Sequence, residues 1–387
     1  MHPLFAQLPT TIFARMSALA QQHDAVNLGQ GFPEVDGAPE LRALAARALV
    51  ERSNQYPPTL GLPELRRAVA AHYARFDGVT LDPATEIVIT SGATEALAAT
   101  FFSLVEPGDE VVVFEPAYDA YVPLIRRAGG VVRSGRLDPP HFQPTASEFE
   151  RVLTPRTRLV VLNTPNNPGA SCLDPKELEP LLRHVASFGS RIVSDEVWER
   201  IVFEGARHTS LLAVPELRDH VVKIGSAGKM FSLTGWKVGF VCASPELARV
   251  VARAHQFLTF TTPPALQIAA AAGLDFSEDF FQGEAAALAR SRDLLQGELE
   301  RAGFFCLPSR ASYFLNVDLR ASGIDEADVE FARLAVERAR VAVIPLSAFY
   351  EADPPTHLVR LCFAKKDETL LEGARRLAHA RALAAAR

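Results

Sequence analysis

Lys229 lies in Ser226-Ala227-Gly228-Lys229-Met230-Phe231-Ser232-Leu233-Thr234-Gly235-Trp236-Lys237, where small residues crowd one lysine and a second follows two turns on. A lysine amine attacks carbonyls once burial or a neighbouring cation lowers its pKa, and its usual carbonyl partner in a protein is an aldehyde cofactor. A salt-bridged or snorkelling lysine fits that residue taken alone. Three other segments offer chemistry that an aldehyde cofactor needs. Ser91-Gly92-Ala93-Thr94-Glu95-Ala96-Leu97 is a small-residue turn running into a helix. Its free backbone N–H groups and the Thr94 hydroxyl suit a phosphate dianion, although an ordinary helix cap reads the same way. Asn163-Thr164-Pro165-Asn166-Asn167-Pro168-Gly169 is a stiff loop that fixes an asparagine amide, or simply a turn. In Asp195-Glu196-Val197-Trp198 an acid directly follows an apolar run. A buried Asp is costly unless paired, and a pyridinium nitrogen is a fitting partner; a helix cap is the alternative.

These segments must be held by elements that bring them together. Glu86–Thr90, Glu110–Phe114, Arg158–Leu162, Arg191–Ser194 and His220–Ile224 are near-continuous apolar runs bounded by turn residues, as strands buried on both faces should be. Helical patterns such as Thr94 to Leu104 and Pro175 to Phe188 lie between them. The alternation implies an α/β fold with a mostly parallel sheet covered by helices, and such sheets place chemistry beyond the carboxyl ends of their strands. From about Leu274 the texture changes to long helices rich in Ala, Glu and Arg. Tyr313–Val317 and Leu358–Phe363 then read as strands of a smaller α+β lobe. The expected division is an N-terminal arm over 1–35, a large cofactor-binding domain over 36–273 and a small domain over 274–387.

Composition narrows the function classes. A chain of 387 residues, 48% hydrophobic and 22% charged, suits two soluble lobes and excludes disordered and fibrous classes. A net charge of -6 offers no basic footprint for nucleic acid or an anionic membrane. Cys172, Cys242, Cys306 and Cys362 are far apart without CxxC spacing, so free thiols in a reducing cytoplasm are expected, with no disulfide and no metal. The N-terminus lacks a signal-peptide pattern, and no apolar run reaches membrane-spanning length.

Taken in order, phosphate turn, aromatic residue, Asn-Pro loop, Asp, Ser-x-x-Lys and a distal Arg, the chain resembles the pyridoxal-phosphate-dependent class I aminotransferases of fold type I over essentially its whole length. Within them it is most similar to bacterial methionine aminotransferases and to kynurenine and glutamine aminotransferases. Thr10–Ala20, Asn27–Pro33, Asn54–Tyr56, His255–Phe260 and Ile344–Phe349 carry that likeness. The resemblance implies a seven-stranded sheet in the large domain and pyridoxal 5'-phosphate held by Lys229 as a Schiff base. It implies that Asp195 keeps the pyridine nitrogen protonated, Asn167 donates to the cofactor O3', and Tyr118 stacks on the ring. Ala93, Thr94, Ser226 and Lys237 are implied to hold the phosphate, and Arg360, helped by the backbone of Gly31, the substrate α-carboxylate. Tyr56, Phe260 and Thr261 match positions that reach the neighbouring subunit's site, which implies a homodimer.

Relatives usually carry a tyrosine where this chain has Trp198, and an indole N–H donates but neither accepts nor ionises. Phe13 and Phe260 suggest an apolar side-chain pocket, and no second arginine stands out for a distal carboxylate. The implied reaction is ping-pong transfer of the amino group from an L-amino acid, methionine, aromatic, glutamine or kynurenine, to a 2-oxo acid. The alternatives are a β-lyase acting on cysteine conjugates and a non-catalytic regulator that binds the cofactor.

Overall fold

The computed structural model describes residues 1, 3–173 and 175–386; His2, Asp174 and Arg387 lie outside the described residues. Its main sheet has seven strands: β1 (Ile87–Thr90), β2 (Glu110–Glu115), β3 (Val131–Arg136), β4 (Thr157–Asn163), β5 (Arg191–Asp195), β6 (Val221–Ser226) and β7 (Gly239–Ala243). They are ordered β1-β7-β6-β5-β4-β2-β3. Only β7 runs against its neighbours, pairing antiparallel with both β1 and β6. The central strands are buried on both faces, which is why valine and isoleucine fill them without alternation.

Five of the seven are the strands expected from apolar runs. The two additional ones have physical reasons for being less visible. β3 is an edge strand whose residues are mostly half-buried and which carries Arg133, Ser134 and Arg136. β7 follows directly on the lysine turn, so its short run Gly-Phe-Val-Cys-Ala merges with that motif.

The smaller part has a four-stranded antiparallel sheet, in the order Ile344–Pro345, Leu358–Cys362, Phe314–Asp318, Phe305–Cys306. Long helices Glu278–Arg301, Asp328–Ala339 and Asp367–Ala385 pack with it. Val26–Asn27 pairs in parallel with Val341–Ala342, so the chain's beginning joins this part. Arg360 sits in the central strand, opposite Asn316 on one side and Ile344 on the other. Among the described residues no helix is long and apolar enough to cross a membrane. All four cysteines are free, Cys242 and Cys362 buried, Cys172 and Cys306 half-buried.

Candidate active site

The carboxyl ends of β4, β5 and β6 lie side by side, and their last residues converge. Asn163 and Asp195 are register partners. The Asn163 amide donates to the Asp195 carbonyl (2.9 Å) and its oxygen accepts from the Asn167 backbone N–H (2.7 Å). One buried asparagine thereby fixes both the Asn-Pro loop and the acid at the end of β5. Around the resulting cavity stand Ala93, Thr94, Tyr118, Asn163, Asn167, Asp195, Trp198, Ser226 and Lys229. Leu97 and Val197 complete the lining, in which Ala93, Thr94, Tyr118, Asn167, Asp195, Ser226 and Lys229 are residues that the resemblance assigns to the cofactor and Trp198 is the position where relatives carry a tyrosine.

Asp195 is 4% exposed. Its carboxylate accepts from the Tyr121 hydroxyl (2.6 Å) and the Val197 N–H (3.4 Å), both neutral donors. Burial outweighs these bonds and pushes the carboxyl up to about 6. Tyr121 was not anticipated: it lies one helical turn after Tyr118, and only the fold shows which of the two tyrosines points to the acid. Tyr118 lines the cavity with its hydroxyl 3.4 Å from Thr94 Oγ1.

Adjacent Glu196 belongs to a different network. Lys223, Glu196 and Glu199 are fully buried; Lys223 Nζ lies 3.2 Å from Glu196 and 2.6 Å from Glu199 and donates to Tyr73 (2.8 Å). Burial alone would raise the Glu196 carboxyl, but Lys223 and His208 hold it well below the usual range. Glu196, Glu199 and His208 bring potential metal-ligating atoms within 4.8 Å of one another, but Lys223 already pairs with both carboxylates.

The helix Ala93–Leu104 begins at Gly92 with no side-chain cap, leaving its first N–H groups without a side-chain partner. Close approach is built in from below. A Cβ at Gly239 of β7 would lie 2.6 Å from the Gly92 carbonyl carbon and 2.7 Å from the Ala93 nitrogen. The Lys237 ammonium reaches the same turn, 3.1 Å from where a Gly92 Cβ would be. An uncapped helix start, a lysine and the Ser226 hydroxyl at the end of β6 are chemically suited to a phosphate dianion.

Lys229 sits on the short helix Ala227–Met230 after β6. Burial, aided by the charges of Arg360 and Lys237 and opposed by Cys362 and Asp195, pushes its ammonium down to about 8. Its Nζ donates to the Tyr313 hydroxyl (2.9 Å) and lies over the Trp198 ring at 4.5 Å. Trp198 is 3% exposed and meets Tyr313 edge-on at 4.4 Å between centroids. The chain's departure at 198 therefore places an aromatic face beneath the amine.

Arg360 is 1% exposed and pairs with no carboxylate at salt-bridge distance among the described residues. Its guanidinium donates to Asn167 Oδ1 (2.7 Å) and to the Gly29 carbonyl (3.1 Å), while Nε has no partner. Burial lowers it to about 10, so it stays cationic at neutral pH. Phe314, Phe349 and Phe13 surround it, with ring centroids 4.0, 4.9 and 5.2 Å from the guanidinium carbon. A Cβ at Gly31 would press on Phe314 at 3.1 Å and lie 3.7 Å from an Arg360 nitrogen, so glycine keeps that approach open. Asp119 acts electrostatically on Arg360; burial raises its carboxyl and Arg360 opposes the rise. Tyr56 and Phe260 lie away from this cavity. They are 83% and 39% exposed and meet edge-on at 5.3 Å.

Residues 23–377 match the family model for aminotransferases of class I and II. The chain belongs to that family. A methionine aminotransferase of Escherichia coli (strain K12) is 43% identical to it, over 96% of each chain. A probable N-succinyldiaminopimelate aminotransferase of Mycobacterium tuberculosis is 41% identical over 95% of each, and a mouse kynurenine–oxoglutarate transaminase 32% over 92% of each. A crystal structure of an Escherichia coli protein identified as having a methionine aminotransferase function superposes with a TM-score of 0.94. It covers 98% of this chain and 99% of that one, at 41% identity. The fold is that of a fold type I aminotransferase, and this chain is an aminotransferase enzyme. All these relatives are named for amino-group transfer, none for β-elimination or regulation.

Proposed function

We propose that this aminotransferase uses pyridoxal 5'-phosphate to move the amino group of an L-amino acid with an apolar or neutral side chain, methionine, an aromatic amino acid, glutamine or kynurenine, to a 2-oxo acid in a ping-pong cycle. The observation that carries the proposal is the buried carboxylate of Asp195, whose hydrogen-bond partners are both neutral, at the floor of the cavity that also holds Lys229. A protonated ring nitrogen held there would supply a positive partner for Asp195. The uncapped helix start with Lys237 and Ser226 suits the phosphate of the same molecule, and Asn167 and Tyr118 stand between the two ends.

When bound, the cofactor supplies an electron sink for the substrate's Cα. Asp195, itself buried, would keep the far end of that sink positive. Lys229, with its amine lowered to about 8, is neutral in roughly a tenth of molecules at pH 7, far more than an ordinary lysine. It can attack a carbonyl and later carry a proton at its Nζ. Arg360 presents its fork to the α-carboxylate that donor and acceptor share, so both half-reactions use one anchor. The rings of Phe13, Phe314 and Phe349 beside that anchor favour an apolar side chain, and the Asp119 carboxylate disfavours an acidic one.

The proposal extends to a cytoplasmic homodimer in which Tyr56 and Phe260 serve the neighbouring subunit. The exposed aromatic pair, together with Phe257 at 86% exposure, supports the dimer, and the free thiols support a reducing compartment. The test is the visible absorption of the purified protein followed by a screen of amino donors against 2-oxo acids. Cofactor absorption with keto-acid formation from methionine or phenylalanine is expected. Pyruvate and ammonia released from a cysteine conjugate without an acceptor, and no transfer from any donor, would refute it.

A further inference from the structure

Lys229 and Gly31 are joined through a hydroxyl that the catalytic roles above leave unused. Tyr313 accepts from Lys229 Nζ at 2.9 Å and donates to the Gly31 carbonyl at 2.7 Å. A carbonyl oxygen has no proton to give, so the single phenolic proton is committed to Gly31. The lysine must then be the donor in the other contact. An amine that donates one N–H through a fixed direction keeps its lone pair off that axis and available to an electrophile in the cavity.

The surroundings make this hydroxyl hard to replace. Tyr313 is 1% exposed and clamped edge-on by Trp198 and Phe314 at 4.4 and 5.0 Å between centroids. Trp198 stands where relatives usually have a tyrosine, and it offers the amine a ring face at 4.5 Å without any oxygen to accept from it. Gly31 is also close in sequence to Gly29, whose carbonyl accepts from Arg360 at 3.1 Å. The segment Gly29–Gly31 thus touches the carboxylate anchor at one end and, through Tyr313, the amine at the other.

We propose that Tyr313 is the positioning residue for Lys229, holding the amine with its lone pair free and tying it through Gly31 to the segment that braces Arg360. The inference rests on Lys229 being the reacting amine. No bond is made or broken at Tyr313; its proton stays with the phenol while the lysine changes partners.

The test reads Lys229 directly in the cofactor-free full-length protein, by lysine Cε NMR titration, with its resonance identified by its loss in Lys229→Met. A hydroxyl accepting from the ammonium stabilises the charged form. Tyr313→Phe should therefore move the Lys229 midpoint to lower pH by about half a unit or more, roughly threefold in the protonation constant. With cofactor restored, kcat should fall about tenfold or more while the amino donor's KM changes less than about twofold, although more of the amine is neutral. Tyr118→Phe, which removes a hydroxyl from the same cavity with its contact to Thr94, should leave the midpoint in place. An unmoved midpoint in Tyr313→Phe, or an equal shift in Tyr118→Phe, overturns the proposal. Should Tyr313→Phe fail to fold, 13Cζ-tyrosine labelling of the unsubstituted protein decides it. A Tyr313 signal that titrates with Lys229 supports the contact, and one that is flat through that midpoint overturns it. Because the titration needs neither cofactor nor substrate, it can fail while transamination stands.

Discussion

Replacing Arg360 by lysine keeps the charge and removes the fork, which makes it a direct probe of how the substrate is anchored. The guanidinium is fixed by Asn167 Oδ1 at 2.7 Å and the Gly29 carbonyl at 3.1 Å, inside a collar of three phenyl rings. A lysine ammonium in that collar is a point charge that cannot offer two parallel N–H groups to a carboxylate. Breaking a buried, hydrogen-bonded charge pair costs roughly 2–5 kcal/mol. Since the charge remains, the lower half of that range applies. At about 1.4 kcal/mol per factor of ten, kcat/KM should fall by roughly 30- to 300-fold. The α-carboxylate is common to every amino donor and every 2-oxo acid, so the factor should be similar for methionine, phenylalanine and glutamine and should recur in the reverse half-reaction. Steady-state kinetics with these three donors, alongside Phe13→Leu, provides the measurement. The Phe13 change should alter the ratio between donors where Arg360→Lys preserves it. A loss confined to one donor would move Arg360 out of the shared anchor and into a specificity pocket.

Asp195→Ala should lower kcat by roughly a hundredfold or more, because the charge it stabilises develops mainly in the transition state; poorer cofactor retention at unchanged kcat would contradict this. Asp119→Asn should raise kcat/KM for glutamate relative to methionine by about three- to tenfold, as expected for removing one like charge near the anchor, and an unchanged ratio would separate Asp119 from side-chain selection. His208 sits in full burial, which alone would lower it, but Cys172 and Glu196 hold it at about 9 against an ordinary 6.5. Its stabilisation is therefore complete below about pH 6.5 and lost as pH rises through 9, up to roughly 3 kcal/mol by proton linkage. Urea unfolding of the wild type and His208→Gln should show a gap that narrows across that window; a gap that widens with pH would refute the assignment.

Much of this was legible before any coordinates, for reasons that can be named. Strands buried on both faces leave continuous apolar runs, so the centre of the sheet was visible and the half-polar edge strand Val131–Arg136 was not. Lys229 was legible from the small residues that crowd it and Asn167 from the prolines that stiffen its loop, while Asp195 ends an apolar run with a group that is costly to bury. Arg360 was legible on the same ground, as a cation in an otherwise apolar strand. Tyr121 and Tyr313 break no pattern. A buried tyrosine is ordinary in a core, and their partners lie 74 and 84 residues away in the chain, with Gly31 at 282. Only the folded chain shows that their hydroxyls meet an acid, within the large sheet's layer, and an amine, across the two parts of the molecule.

Substrate preference depends on which side chains converge in space, not on overall likeness. The two relatives at 43% and 41% identity carry names for different amino donors, methionine and N-succinyldiaminopimelate. A difference of two percentage points has no physical bearing on a choice between a thioether and an extra carboxylate. On the proposed function that choice is made beside Arg360, by Phe13 from the helix Ile12–Gln22, Phe349 from the turn Leu346–Phe349 and Phe314 from the strand Phe314–Asp318, together with the Asp119 carboxylate. Four segments far apart in the chain contribute one side chain each. Three rings reward an apolar group with buried area, while the carboxylate penalises a second anion, so both terms favour methionine or an aromatic donor. Converting the pocket toward an acidic donor therefore requires removal of Asp119 and a new cation among those rings, because relieving the repulsion alone leaves the incoming carboxylate desolvated and unpaired.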